Sequence, residues 1–220
     1  MSTYVISGAN RGIGLELCRQ LQARGDAVIA LCREPSRDLA ALGVRVEAGV
    51  DVTDDAAVSA LAGRLADVDV DVLINNAGLL HQEPLEALDF DRIRRQFEVN
   101  ALGPLRLTAA LRGRIRSGGK VGIITSRMGS LSDNTSGGAY GYRMSKAAVN
   151  AAGVSLARDL AGAGIAVALL HPGWVRTDMT GGRGLIDPPE AAAGLLARLD
   201  ALDLESSGGF WHSNGERLPW

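Results

Sequence analysis

Short runs of apolar and β-branched residues recur along the chain, at Thr3–Ile6, Ala27–Leu31, Val44–Val46, Val70–Ile74, Lys120–Thr125 and Ile165–Leu170. They are nearly continuous in hydrophobicity, which predicts strands covered on both faces. Between the runs, apolar residues fall at helical spacing, first at Ile13, Leu17 and Leu21, then at Val58, Leu61 and Leu65. Two longer helices are expected. One is amphipathic and spans Phe90–Arg114, with Asn100 and Gly103 inside it; the other spans Tyr142–Ala163 and is rich in small residues. A further helix begins near Pro189, and a last short strand covers Gly209–His212. This alternation predicts an α/β fold, a doubly wound parallel sheet of about seven strands with helices on both faces.

Composition narrows the picture. A chain of 220 residues with 46% hydrophobic residues is large enough for one core, so residues 1–220 are expected to form a single domain. The net charge of -2, with acids and bases interspersed, leaves no electrostatic footprint for nucleic acid or an anionic membrane. No apolar run approaches the ~20 residues of a membrane span, and nothing reads as a secretory leader. Cys18 and Cys32 have neither paired spacing nor neighbouring ligands, and His81, His171 and His212 are scattered. No metal is expected, and two reduced thiols suit a cytoplasmic location.

The candidate chemistry starts at "SGANRGIGLEL", where Gly8, Gly12 and Gly14 stand between the first strand and its helix. Glycines there allow a tight turn and a close approach to phosphate, while the helix amino terminus offers free amides. Taken alone, the stretch is equally compatible with a glycine-rich turn that binds nothing. "YGYRMSK" offers a second signal. Tyr142 and Lys146 are four residues apart and share a helix face, so the ammonium is expected to favour the phenolate. Tyr140 has Met144 at the same interval and gains no charge. The strand ending at Thr125 delivers Ser126 to the same sheet edge, with Ser130 as an alternative hydroxyl.

The glycine spacing departs from the common Gly-x-Gly-x-x-Gly fingerprint and resembles that of the short-chain dehydrogenase/reductase family, with Ser7 where that family has Thr. "DVTD", "INNAG", "SRMG" and "HPGWVRTDM" resemble further motifs of the family in the same order. The resemblance covers nearly the whole chain and implies a Rossmann-type fold with a nicotinamide dinucleotide. It assigns the glycine turn of Gly8, Asn10, Arg11, Gly12, Ile13 and Gly14 to the pyrophosphate side. It assigns Asp51 and Val52 to the adenine, Asn76, Ala77 and Gly78 to the adenosine side, and Pro172, Val175 and Thr177 to the nicotinamide. It also implies a catalytic set of Ser126, Tyr142 and Lys146, in which Lys146 also holds the ribose. Asn100 would connect Lys146 to solvent, or alternatively only bend its helix. Ser126 lies further from Tyr142 than the family's usual interval.

At the tip of the second strand an acid would accept from a free ribose hydroxyl, but this chain has Cys32 followed by Arg33. With Arg11 on the same side, NADPH (NADP+) is the expected cofactor, and Glu34 keeps NADH open as an alternative. "SLSDNTSGGAYGY" and the ending "GGFWHSNGERLPW" are similar to the subgroup of the sniffer carbonyl reductase and the bacterial C-factor protein. The reading is therefore a carbonyl reductase acting on a small ketone, aldehyde or alcohol. A non-enzymatic NADP(H)-binding signalling protein of C-factor type is the alternative, and an oligomerising scaffold is a third. The short glycine-rich stretch "DMTGGRGLIDPPE" predicts a small, mobile lid, with Trp174 and Met179 lining the substrate site or packing. Small residues on the Tyr142 helix suit a homodimer or homotetramer.

Overall fold

The computed structural model describes residues 1–220. Its strands are β1 (Thr3–Ser7), β2 (Ala27–Leu31), β3 (Arg45–Glu47), β4 (Val70–Asn75), β5 (Ile115–Ile124), β6 (Ala166–His171) and β7 (Gly209–His212). They form one seven-stranded sheet in the order β3-β2-β1-β4-β5-β6-β7. Every neighbouring pair is parallel. The strand order reverses between β1 and β4, so a crevice opens there at the carboxyl edge of the sheet.

Helices cover both faces, as the continuous hydrophobicity of the strands requires. Alternate residues of β1 divide between two cores: Tyr4 and Ile6 join a cluster of 22 buried residues, and Val5 joins another of 20. On the first face lie α1 (Gly12–Ala23) and α7 (Pro188–Ala201), which pack together through Leu17, Leu21, Leu195 and Leu199. The second face holds α3 (Asp55–Arg64), α5 (Gly103–Leu111) and α6 (Tyr140–Ala161). A short α2 (Arg37–Ala41), capped by Ser36, precedes β3, and α4 (Phe90–Phe97) leads into α5. No helix is long and apolar enough to cross a membrane.

Three boundaries differ from the sequence expectation. The Phe90–Arg114 helix is not continuous: a π-helical turn at Glu98–Leu102 separates α4 from α5, and Arg112–Arg114 is a 3-10 turn. At the break, a side chain on Gly103 would meet Val52 Cγ2 at 2.9 Å, so glycine permits the close packing that bends the helix. β5 begins at Ile115 instead of Lys120, because Gly118, with φ of 81°, bulges an otherwise continuous strand. The Tyr142 helix begins two residues early, at Tyr140.

Candidate active site

The glycine turn is built against β4. Ser7 Oγ accepts the backbone N–H groups of Asn76 and Ala77, both at 3.1 Å. Asn76 Nδ2 donates back to the carbonyls of Ser7 and Gly8, both at 3.0 Å. This lock explains two of the three glycines. A Cβ on Gly14 would lie 2.2 Å from the Gly8 oxygen, and one on Gly8, at φ of 65°, would lie 2.8 Å from Ala77 Cα. "SGANRGIG" and "INNAG" therefore form one interlocked unit at the crevice.

That unit is one wall of a cleft of about 1060 Å³. Of the predicted site residues, Gly8, Asn10, Arg11, Gly12, Ile13, Gly14, Arg33, Asp51, Val52, Asn76, Ala77, Gly78, Tyr142, Lys146, Pro172 and Thr177 all line it. Val175, Ser126 and Asn100 do not; all three are buried, and Val175 bridges to Ile186. Thr177 Cγ2 lies 3.5 Å from where a Gly12 Cβ would stand, so the turn after β6 closes on the glycine turn from the opposite side. Arg11 reaches across to Asp178 at 3.5 Å, in an exposed pair. At the tip of β2, Cys32 and Arg33 face the cleft and Glu34 is absent from its lining. Burial would raise the Asp51 carboxyl, but the N–H and hydroxyl of Thr53, with Arg33 and Arg95 nearby, hold it below the usual carboxylate range. It is therefore an ionised acceptor on the cleft wall.

At the other end, α6 carries Tyr142 and Lys146 on one buried face, with Lys146 Nζ 5.6 Å from the centre of the Tyr142 ring. Nζ donates to the Ile124 carbonyl at 2.8 Å, which anchors it at the tip of β5. Ser126, the next turn of chain, lies beside the phenol, and its hydroxyl accepts the Met128 N–H at 3.2 Å. Gly129 lets this segment press on α6, since a Cβ there would lie 2.7 Å from the Lys146 carbonyl carbon. Ser130 instead turns toward Ser132 and the Asp133 N–H.

The sequence expectation for the phenol is reversed. Burial pushes Tyr142 up to about 12, and the nearby Ser126 hydroxyl only partly offsets it. Burial likewise pushes Lys146 down to about 8. Both groups leave water together, and at this separation the ammonium does not overcome the desolvation. Tyr142 accordingly keeps its proton at neutral pH.

Asn100 lies in the π-helical turn with its amide fully engaged. Oδ1 accepts from the Leu79 N–H, while Nδ2 donates to the Leu79 carbonyl and to Ser145 Oγ. It ties the β4 loop to α6 and makes no direct contact with Lys146.

Several supporting residues carry no sequence signal. Thr125 Oγ1 donates to Asn150 Oδ1 at 2.7 Å, fastening the tip of β5 to α6. His171, at the end of β6, packs edge-on against His212 with ring centres 4.8 Å apart. Burial, followed by His212, Arg127 and Lys146, holds His171 down to about 3. An unfolded histidine takes up its proton near pH 6.5, so the folded state loses stability as pH falls from there toward 3. The thermal midpoint should therefore drop more steeply across this window in the parent than in His171→Asn. Equal slopes in differential scanning fluorimetry would refute that assignment.

Residues 2–184 match the short chain dehydrogenase family. The chain is 50% identical over 226 residues to 1-hydroxy-2-glutathionyl-2-methyl-3-butene dehydrogenase of Rhodococcus sp. (strain AD45), covering 100% of both. It is 48% identical over 154 residues to C-signal of Myxococcus xanthus, covering 69% of this chain and 93% of that protein. The crystal structure of NADPH-bound carbonyl reductase from chicken fatty liver superposes with a TM-score of 0.91 at 28% identity, covering 100% of this chain and 99% of the other. Carbonyl reductase Sniffer of D. melanogaster superposes with a TM-score of 0.92 at 28% identity, covering 100% of both. A Rossmann-type sheet, an interlocked glycine turn and a full-length dehydrogenase relative lead to one conclusion: the chain belongs to the short-chain dehydrogenase/reductase family and is an oxidoreductase.

Proposed function

We propose that the protein is an NADPH-dependent carbonyl reductase, exchanging a hydride between the nicotinamide and a ketone, aldehyde or alcohol at a Ser126, Tyr142 and Lys146 centre. The observation that carries this reading is the buried, protonated Tyr142, close to Ser126 and beside Lys146, on the wall of the cleft that the glycine turn opens. A phenol that holds its proton at neutral pH is in the form that reduction needs, ready to donate to a carbonyl oxygen. Ser126 would hold that oxygen as charge develops. Lys146 keeps N–H donors beyond its bond to Ile124 for the ribose hydroxyls.

The cleft suits a dinucleotide because the glycine turn, packed tightly on Asn76 and Ala77, brings the amino end of α1 with its free N–H groups to the cleft wall. When bound, the cofactor supplies the hydride chemistry. Arg33 supports the phosphorylated form, since it lines the cleft where Glu34 does not. The Rhodococcus relative's name puts a glutathionyl alcohol among the candidate substrates. Exposed Leu102 in the π-helical turn and Leu105 on α5, with Met144 on α6, support a homodimer or homotetramer, and the free, buried Cys18 and Cys32 suit the cytoplasm.

The test is a panel of aldehydes, ketones and diketones with NADPH, run beside short hydroxyalkyl glutathione conjugates with NADP+. Turnover of at least one class is expected. Tight NADPH binding with no turnover in either direction would favour the signalling reading, which the 48% identity to C-signal keeps in view and the intact centre disfavours.

A further inference from the structure

Glu83 is a buried carboxyl group that the proposed chemistry leaves unused, at 3% exposure, on the loop between β4 and α4. Its Oε1 accepts from Gln96 Nε2 at 2.6 Å, and its Oε2 accepts from the Gly141 N–H at 3.4 Å. Gln96 is wholly buried on α4, and its own Oε1 accepts the His81 N–H at 2.9 Å. No lysine or arginine pairs with Glu83.

The helix it touches begins abnormally. Ala139, at the amino end of α6, is the one non-glycine residue with a positive φ, at 48°, and makes no side-chain cap. That conformation is strained for an alanine. The free N–H groups of a first helical turn need partners, and here a distant carboxylate serves one of them. Gly141 makes the approach possible: a Cβ there would lie 2.4 Å from Gln96 Nε2 and 3.1 Å from Ile93 Cα. Tyr142 is the next residue. No local side chain caps this end of α6, so the Glu83 contact reaches the helix one residue before the phenol.

We propose that Glu83, held by Gln96, is a positioning residue for Tyr142. This rests on the reading of Tyr142 as proton donor. It acts through the Gly141 backbone and does not line the cofactor cleft.

Glu83→Gln removes the match, because two amide N–H groups then face each other. The exchange Glu83→Gln/Gln96→Glu restores it: the new Gln donates to the new Glu and accepts from Gly141, while the new Glu still accepts from His81. We expect Glu83→Gln to lower kcat by about tenfold to a hundredfold, as misplacement near the chemistry does, with the KM for NADPH within about twofold. The exchanged variant should recover most of kcat. A purely structural role would move the melting temperature without this split. Unchanged kcat in Glu83→Gln, or a folded exchange variant with no recovery, would overturn the proposal, as would failure of both variants to fold. If only the single variant fails to fold, the kcat of the exchanged one decides. Tyr142→Phe is assayed in parallel. Retained turnover there would overturn the donor reading and this proposal together, whereas its loss beside an unaffected Glu83→Gln would overturn only this one.

Discussion

Tyr142→Phe lowers carbonyl reduction by about 10² to 10⁴-fold, the range for loss of a general acid, while NADPH affinity stays within a few fold. The substitution keeps the buried ring and deletes only the hydroxyl that Ser126 contacts. Lys146 remains anchored to Ile124 and available to the ribose, so cofactor binding survives. Steady-state rates on an accepted carbonyl compound, with NADPH binding followed by nicotinamide fluorescence, separate the two effects. Turnover within tenfold of the parent would remove Tyr142 from its role. A joint loss of turnover and cofactor affinity would instead point to collapse of α6.

Arg33→Ala raises the KM for NADPH by about tenfold to a hundredfold and leaves that for NADH nearly unchanged, since a charge-assisted contact contributes about 1.5–3 kcal/mol. Arg33 bears this expectation more than Arg11 does, because Arg11 is directed to Asp178 on the opposite lip of the cleft. An exposed pair of that kind contributes little, so Arg11→Ala should have the smaller effect. Ratios of kcat/KM for the two cofactors in the parent, Arg33→Ala and Arg11→Ala check both statements. A parent that prefers NADH would overturn the assignment of the β2 tip.

The fold was legible in the strands, because the central ones are hydrophobic on both faces and a parallel sheet between two helical layers is the arrangement that buries such strands. The cofactor cleft was legible because its glycines answer a local backbone requirement that spacing records. Asn100 was less so: its residue type marks the break in the helix, but its partners Leu79 and Ser145 come from elements distant in sequence. Glu83 and Gln96 leave no periodicity or motif at all, and only the packing of α4 on α6 joins them.

The phenol of Tyr142 shows where local reasoning stops. Spacing alone determined that Tyr142 and Lys146 share a helix face, since an α-helix returns to the same side every four residues. Whether the ammonium or the loss of water governs the proton depends on how deeply that face is buried and where Nζ is anchored. The tertiary structure decided both, by closing β5, Ser126 and Gly129 over α6. Connectivity and hydrophobic pattern specify which backbone forms, because they act over a few residues; desolvation is a property of everything that surrounds a group, and exists only once the chain has folded.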